Sequence, residues 1–286
     1  MFDKHPKGLI AAALANLGER FGFYTMMAIL VLFLQAKFGM NGKEAGFIYS
    51  TFYFSIYILA LVGGIIADKT RNYKGTIFTG IVLMAVGYLL LAIPSKTPVD
   101  NKMLYLVITC ASLFVIAFGN GLFKGNLQAL VGQMYDNPQY ANMRDSGFSL
   151  FYMFINIGAI FAPFAAVGVR NWWLSTFGYN YDADLPALCH GQLAGTLSPE
   201  ATETYHTLVT KASTAPVQDY TAFASDYLNV FTTGFHYAFG VAIIAMAISL
   251  TIYWLNKKNF PDPSKKTVAS SASSTVVEMS AQEVKQ

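Results

Sequence analysis

The sequence predicts an all-α membrane protein built on six transmembrane helices. Three observations carry that prediction. The 286 residues are 54% hydrophobic and only 12% charged, where soluble domains carry roughly 25% charged residues. The apolar residues gather into six stretches of helix length, and a helix needs about 20 apolar residues to cross a bilayer core. No alternating strand pattern of barrel type occurs, and helices satisfy their own backbone hydrogen bonds in lipid. The net charge of +3 is too small to suggest a nucleic-acid partner.

The first span covers about 8–36. The preceding "MFDKHPKG" lacks the cleavage site of a signal peptide, and the span is too long for a signal core, so a retained helix is expected. The second and third spans, about 44–67 and 75–94, are joined by the polar turn "DKTRNYKG". The fourth and fifth, about 103–133 and 146–168, are joined by "DNPQYANMRD". A polar segment over 171–231 precedes the sixth span, about 232–256. Within that segment "SPEATETYHTLVTKA" reads as a helix capped by Ser198 with Pro199 in its first turn. The tail over 257–286 is serine-rich and expected to be a disordered linker. Lys69, Arg71, Lys74, Arg144, Lys257 and Lys258 fall on the side of the N-terminus, against Lys37, Lys43, Lys96, Arg170 and Lys211 opposite. The positive-inside rule therefore predicts both termini cytoplasmic and 171–231 extracytoplasmic. Cys110 lies in an apolar run and Cys189 in a polar one, so no disulfide is expected; Cys189 should be exposed on the outer side.

Charge inside the spans points to function, because a charge at the bilayer centre costs about 2.5–3.5 kcal/mol on insertion scales. The first span reads "NLGERFGFYTMMAILVLF", with Glu19 and Arg20 adjacent. Asn16, Arg20 and Tyr24 are four apart and share a face. Arg20 must look into a polar cavity or onto a carboxylate; a structural ion pair between two helices is the alternative. The fourth span holds Lys124, with Asn120 one turn before and Gln128 one turn after. Snorkelling to an interface is its alternative role. Two cations lining one cavity would attract an anionic group such as a carboxylate. Gly121 and Gly125 leave room for a neighbouring helix, as do Gly63 and Gly64 in the second span. Tyr53 and Tyr57 form a polar stripe there, and Tyr152 and Asn156 share a face of the fifth span. Asp68 ends the second span beside a basic turn, where a carboxylate can lock one helix end against another; an ordinary positive-inside loop with one stray Asp is the alternative.

No catalytic arrangement emerges. The histidines His5, His190, His206 and His236 are scattered, and no metal-ligand spacing, phosphate loop or nucleophile elbow occurs. An enzyme is not expected, nor a metal or an organic cofactor.

These motifs together resemble the proton-dependent oligopeptide transporter family of the major facilitator superfamily. The first-helix pattern E-x-x-E-R-F is matched at Glu19, Arg20 and Phe21, with Tyr24 following. "GGIIAD" ending at Asp68, "GNGLFKGN" around Lys124, and "FSLFYMFINIGAI" over 148–160 also fit, as do "HPKGL" and "GFHYAFG". The resemblance implies a multi-pass protein of the cell's inner (plasma) membrane that imports di- and tripeptides with protons as coupling ion. In that reading Arg20 and Lys124 hold the peptide carboxylate, and Tyr24, Tyr57 and Asn156 line the pocket. Glu19 and Arg20 take part in proton coupling, and Asp68 belongs to a cytoplasmic gating loop. Asn16 stands where the pattern has its first glutamate, so one titratable group is absent and coupling would rest on Glu19 or elsewhere. Asn72 stands where a glycine is expected, a mild change because asparagine tolerates the left-handed conformation.

The resemblance covers the N-terminal six-helix half of a two-half fold. The carboxylate that would receive a peptide's amino terminus belongs to the C-terminal half, which this chain lacks. The chain is expected to be a piece of a longer protein or a half acting with a second subunit. Two other functions stay open: a facilitator of another carboxylate-bearing solute with weakened proton coupling, and a non-transporting binding or assembly subunit using the outer segment.

Overall fold

The computed structural model describes residues 4–261. Eight α-helices form, and six membrane-length helical spans are found among the described residues. They are α1 (Gly8–Phe38), α2 (Gly42–Thr70), α3 (Tyr73–Ala92), α4 (Lys102–Met134), α5 (Arg144–Thr176, entered through a 3-10 turn at Ala141–Met143) and α8 (Tyr220–Leu255). Two short helices, α6 (Leu185–Ala194) and α7 (Pro199–Ala212), lie between α5 and α8.

Local chemistry sets the helix ends. Asn41 caps α2 by accepting from Lys43 and Glu44 amides, and Glu44 returns a bond to the Asn41 amide, satisfying amides that a helix start leaves without partners. Ser198 caps α7 by accepting from the Ala201 amide, with Pro199 in its first turn. Gly39 ends α1 at φ 60°, where a side chain would be strained. In the α2–α3 turn the left-handed residue is Arg71, at φ 51°, and not Asn72. Asn72 instead caps α3, its side chain accepting from the Gly75 amide.

In lipid there is little hydrophobic drive between helices, so small residues that let backbones approach decide the packing. α3 lies along α4, where Gly80 and Gly119 face each other; a Cβ on either would sit 2.7 Å from the other's carbonyl oxygen. α4 also packs on α2, with Gly63 against the Gly121 backbone. Of the glycine pairs expected to pack, Gly64 and Gly125 face open space. α1 packs on α5, where Gly158 meets the Leu17 carbonyl, and on α8, where Gly18 meets the Ala245 carbonyl. α3 and α8 close the remaining side.

Two boundaries differ from the sequence reading. α5 runs on to Thr176 and α8 begins at Tyr220. The segment expected over 171–231 is therefore a shorter connection holding α6 and α7, flanked by helix ends. The apolar pattern stops where tryptophan and polar side chains begin, but the backbone stays helical. At 36 residues, α8 is about 54 Å long at 1.5 Å per residue, well beyond a core of about 30 Å. Cys189 is buried on α6, contrary to expectation, and burial pushes its thiol up to about 12. The tail begins as a 3-10 turn, Lys257–Asn259, and Phe260 is buried against Tyr253, ring centroids 5.0 Å apart. The remainder of the expected linker, 262–286, lies outside the described residues.

Candidate functional site

α1 carries Glu19 and Arg20 into the bundle, and both are buried. They pair with each other: Arg20 donates through Nε, and through Nη2 at 2.7 Å, to the Glu19 carboxylate. The carboxylate that Arg20 requires is thus its own neighbour, not one on another helix. Asn120 of α4 donates to Glu19 Oε1 at 2.7 Å. Gly119 and Gly121 flank Asn120 and let α4 press close to α3 and α2. The Arg20 guanidinium lies 5.0 Å from the Phe23 ring centroid. Asn16, one turn earlier, is buried and cannot titrate. Tyr88 of α3 is fully buried within electrostatic range of both charges. Its hydroxyl and Asn120 Oδ1 have no hydrogen-bond partner among the described residues.

One turn further along, the polar residues come into the open. Tyr24 is 36% exposed and Tyr57 54%. Lys124 is half-buried, its Nζ 5.6 Å from the Tyr57 ring centroid, within electrostatic range of Arg20 and Glu19. Tyr57 donates to the Tyr53 hydroxyl at 3.1 Å. Gln128, one turn beyond Lys124, donates to Tyr152 of α5 at 3.4 Å. Asn156 is exposed one turn from Tyr152. A polar, accessible face therefore runs from α2 across α4 to α5, with the buried charge pair beneath it.

The chemistry of this face follows from its donors. The Lys124 ammonium has three N–H groups and rests on a ring face. It has no hydrogen-bond acceptor among the described residues. It is a cation with donors to offer, in a partly desolvated place where a carboxylate is bound strongly. Arg20 has committed Nε and Nη2 to Glu19.

The structure gathers Glu19, Arg20, Tyr24, Tyr57 and Lys124 into one region. Asn156 shares the open face, though no hydrogen bond joins it to the others among the described residues. Asp68 stands apart, at the exposed end of α2, where it accepts from the Tyr73 hydroxyl across the α2–α3 turn. Sequence reasoning missed Asn120 as the residue holding Glu19. Its signal was an amide one turn before Lys124 between two glycines. It also missed Lys37 and Arg170, counted as loop cations. Lys37 is buried, and Arg170 is buried with its guanidinium 3.6 Å from the Tyr181 ring centroid.

Six membrane-length helices pack into one bundle with a polar face left accessible. The POT family model, PTR2, matches residues 74–285. The chain belongs to the POT family. It is 34% identical over 185 residues to the peptide transporter YePEPT of Yersinia enterocolitica, covering 63% of this chain and 34% of that protein. It is 34% identical over 179 residues to dipeptide and tripeptide permease A of an Enterobacter species, covering 62% and 32%. Among solved structures, the peptide transporter POT in complex with sulfate matches with a TM-score of 0.60 at 24% identity, over 97% of this chain and 45% of that one. The E310Q mutant of peptide transporter POT with alafosfalin gives 0.59 at 25%, over 97% and 46%. The chain thus spans about a third of the curated relatives' length and under half of the solved chains, corresponding to their N-terminal half. Its six apolar spans make it a multi-pass membrane protein.

Proposed function

We propose that this chain forms the N-terminal half of a proton-coupled importer of di- and tripeptides. It would sit in the inner membrane with both termini cytoplasmic. The observation that carries this reading is Lys124, a half-buried cation with free donors on an accessible polar face above the Glu19–Arg20 pair. Lys124 binds the peptide carboxylate. Tyr24, Tyr57 and Asn156 offer hydroxyl and amide groups to the peptide backbone. Arg20 exchanges between Glu19 and the substrate carboxylate. When Glu19 takes a proton, Arg20 loses its counter-ion and becomes available to the peptide, which couples the two ligands. Asp68 and Tyr73 steady the cytoplasmic α2–α3 turn. Six further helices facing the polar side complete the cavity and receive the peptide's amino terminus. The relatives' names, peptide transporter and di- and tripeptide permease, support this reading.

The test is uptake into proteoliposomes holding this chain together with a C-terminal six-helix half. Dipeptide uptake should rise with an inward proton gradient and fall with Lys124→Ala. Uptake that ignores the gradient would favour a facilitator, the reading that Asn16 in place of a titratable group supports. No peptide uptake under any gradient would overturn the proposal.

A further inference from the structure

At the Phe38 end of α1, away from the polar face, a cavity of about 250 Å³ lies among α1, α3, α4 and α8. Its deep end is polar. Lys37 is 2% exposed and His236 4%, and Thr109 and Ser112 are buried beside them. Its remaining wall is apolar, from Phe33 and Phe38 inside to Leu90, Ile93 and Ile108, which are exposed at the mouth. That mouth opens on the apolar surface that faces lipid.

The deep end is a built charge site without a counter-ion. Lys37 Nζ donates to the Ser95 carbonyl at 2.5 Å, to Thr97 Oγ1 at 2.8 Å and to the Lys96 carbonyl at 3.4 Å. Thr97 is itself fixed, by Asn229 Oδ1 at its amide and by Thr232 Oγ1 at its hydroxyl. No carboxylate among the described residues lies within ion-pair distance of Lys37, and none lines the cavity. A buried ammonium is normally paired. Its bond to Lys96 is long and therefore the one most easily exchanged. His236 Nδ1 lies 2.6 Å from the Leu91 carbonyl. A carbonyl only accepts, so Nδ1 carries the proton and Nε2 presents a lone pair. Nε2 is buried and has no partner among the described residues.

We propose that this cavity binds a small monocarboxylic acid, with its alkyl tail in the apolar wall. The acid enters from the lipid side in its neutral form. Its O–H bond breaks, the proton passes to His236 Nε2, and the carboxylate is left between the imidazolium and the Lys37 ammonium. Nδ1 stays on Leu91, so no other proton moves. A single negative charge with one transferable proton gives the Lys37 ammonium a counter-ion, in exchange for its long bond to Lys96, and gives His236 Nε2 a partner. The other titratable or charged groups around the site are Tyr105 of α4 in the lining, the exposed side chain of Lys96, Lys102 at the start of α4, and His190 of α6, which bonds the Ala36 carbonyl. α3 adds none to the lining.

The test is binding of carboxyl-labelled hexanoate to the purified chain in micelles, followed by NMR, with proton uptake from calorimetry in two buffers. Hexanoate should bind saturably and take up a proton from bulk near neutral pH. Hexanamide, which has the same tail and no acidic proton, should not bind. Lys37→Met and His236→Phe should each weaken binding at least about tenfold, the scale of a lost charge-assisted hydrogen bond. Ile108→Trp should do the same by filling the mouth. Ile108 is exposed, so this variant decides the matter if the buried variants fail to fold. Equal binding by hexanamide, binding without proton uptake, or unchanged affinity in folded Ile108→Trp would each overturn the proposal.

Discussion

At the scale of single residues, the site turns on how Glu19 is held. It is buried, shares its charge with Arg20 and accepts one bond from Asn120. Removing one partner of a buried pair leaves an uncompensated charge and costs about 3–5 kcal/mol. Glu19→Ala should therefore destabilise the bundle by that amount. Asn120→Leu removes a bond to a charged group and should cost about 1–3 kcal/mol. Both are checked by thermal unfolding in detergent, and Asn120→Leu costing as much as Glu19→Ala would contradict this division. The charges were legible in the sequence because ionisable residues stand out in an apolar helix. Their mutual pairing was not, because adjacent helix positions do not normally face each other. Lys37 was misread for a related reason. It sits at a helix end, where lysine usually reaches for water, but the Ser95–Thr97 turn folds over it and supplies oxygen ligands.

At the scale of elements, close approach between helices is the organising device. Gly80 and Gly119 bring α3 and α4 together with backbone in contact. Gly119→Leu should push the helices apart and cost at least about 1–3 kcal/mol by overpacking, whereas Gly125→Leu, which faces open space, should cost little; paired unfolding curves check both. α6 docks through His190, whose Nε2 donates to the Ala36 carbonyl at the end of α1. Burial lowers its pKa below the ordinary 6.5. The docking contribution is therefore full above about pH 6.5 and is lost as pH falls through the lower folded value, because the undocked state binds the proton more readily. Amide protection factors in α6, which divide out the base-catalysed intrinsic exchange rate, should be lower at pH 5 than at pH 7.5, and His190→Gln should remove most of that difference. The Ser198 cap was readable because capping is local chemistry. The true ends of α5 and α8 were not, since helices that outrun the apolar core carry no hydropathy signal there.

At the scale of the whole molecule, the bundle is two-faced. Apolar side chains such as Val86 and Leu89 of α3 and Ile244 and Ile248 of α8 are exposed as lipid would require, while Tyr24, Tyr57 and Asn156 are exposed, and Lys124 half-buried, on a polar face. A polar face on a membrane bundle needs water, substrate or protein against it. The fold was legible as six spans and a family motif set; the open face was not, because spacing alone does not say which sides of α2, α4 and α5 turn to one another. The most direct test of the central claim is dipeptide binding to this purified chain, beside Arg20→Ala and Lys124→Ala, with N-acetylated and C-amidated competitors. The account predicts that the dipeptide binds, that Lys124→Ala weakens binding at least about tenfold by loss of a charge-assisted contact, and that the N-acetylated peptide competes while the C-amidated one does not. Equal competition by the C-amidated peptide, or binding indifferent to Lys124→Ala, would contradict it.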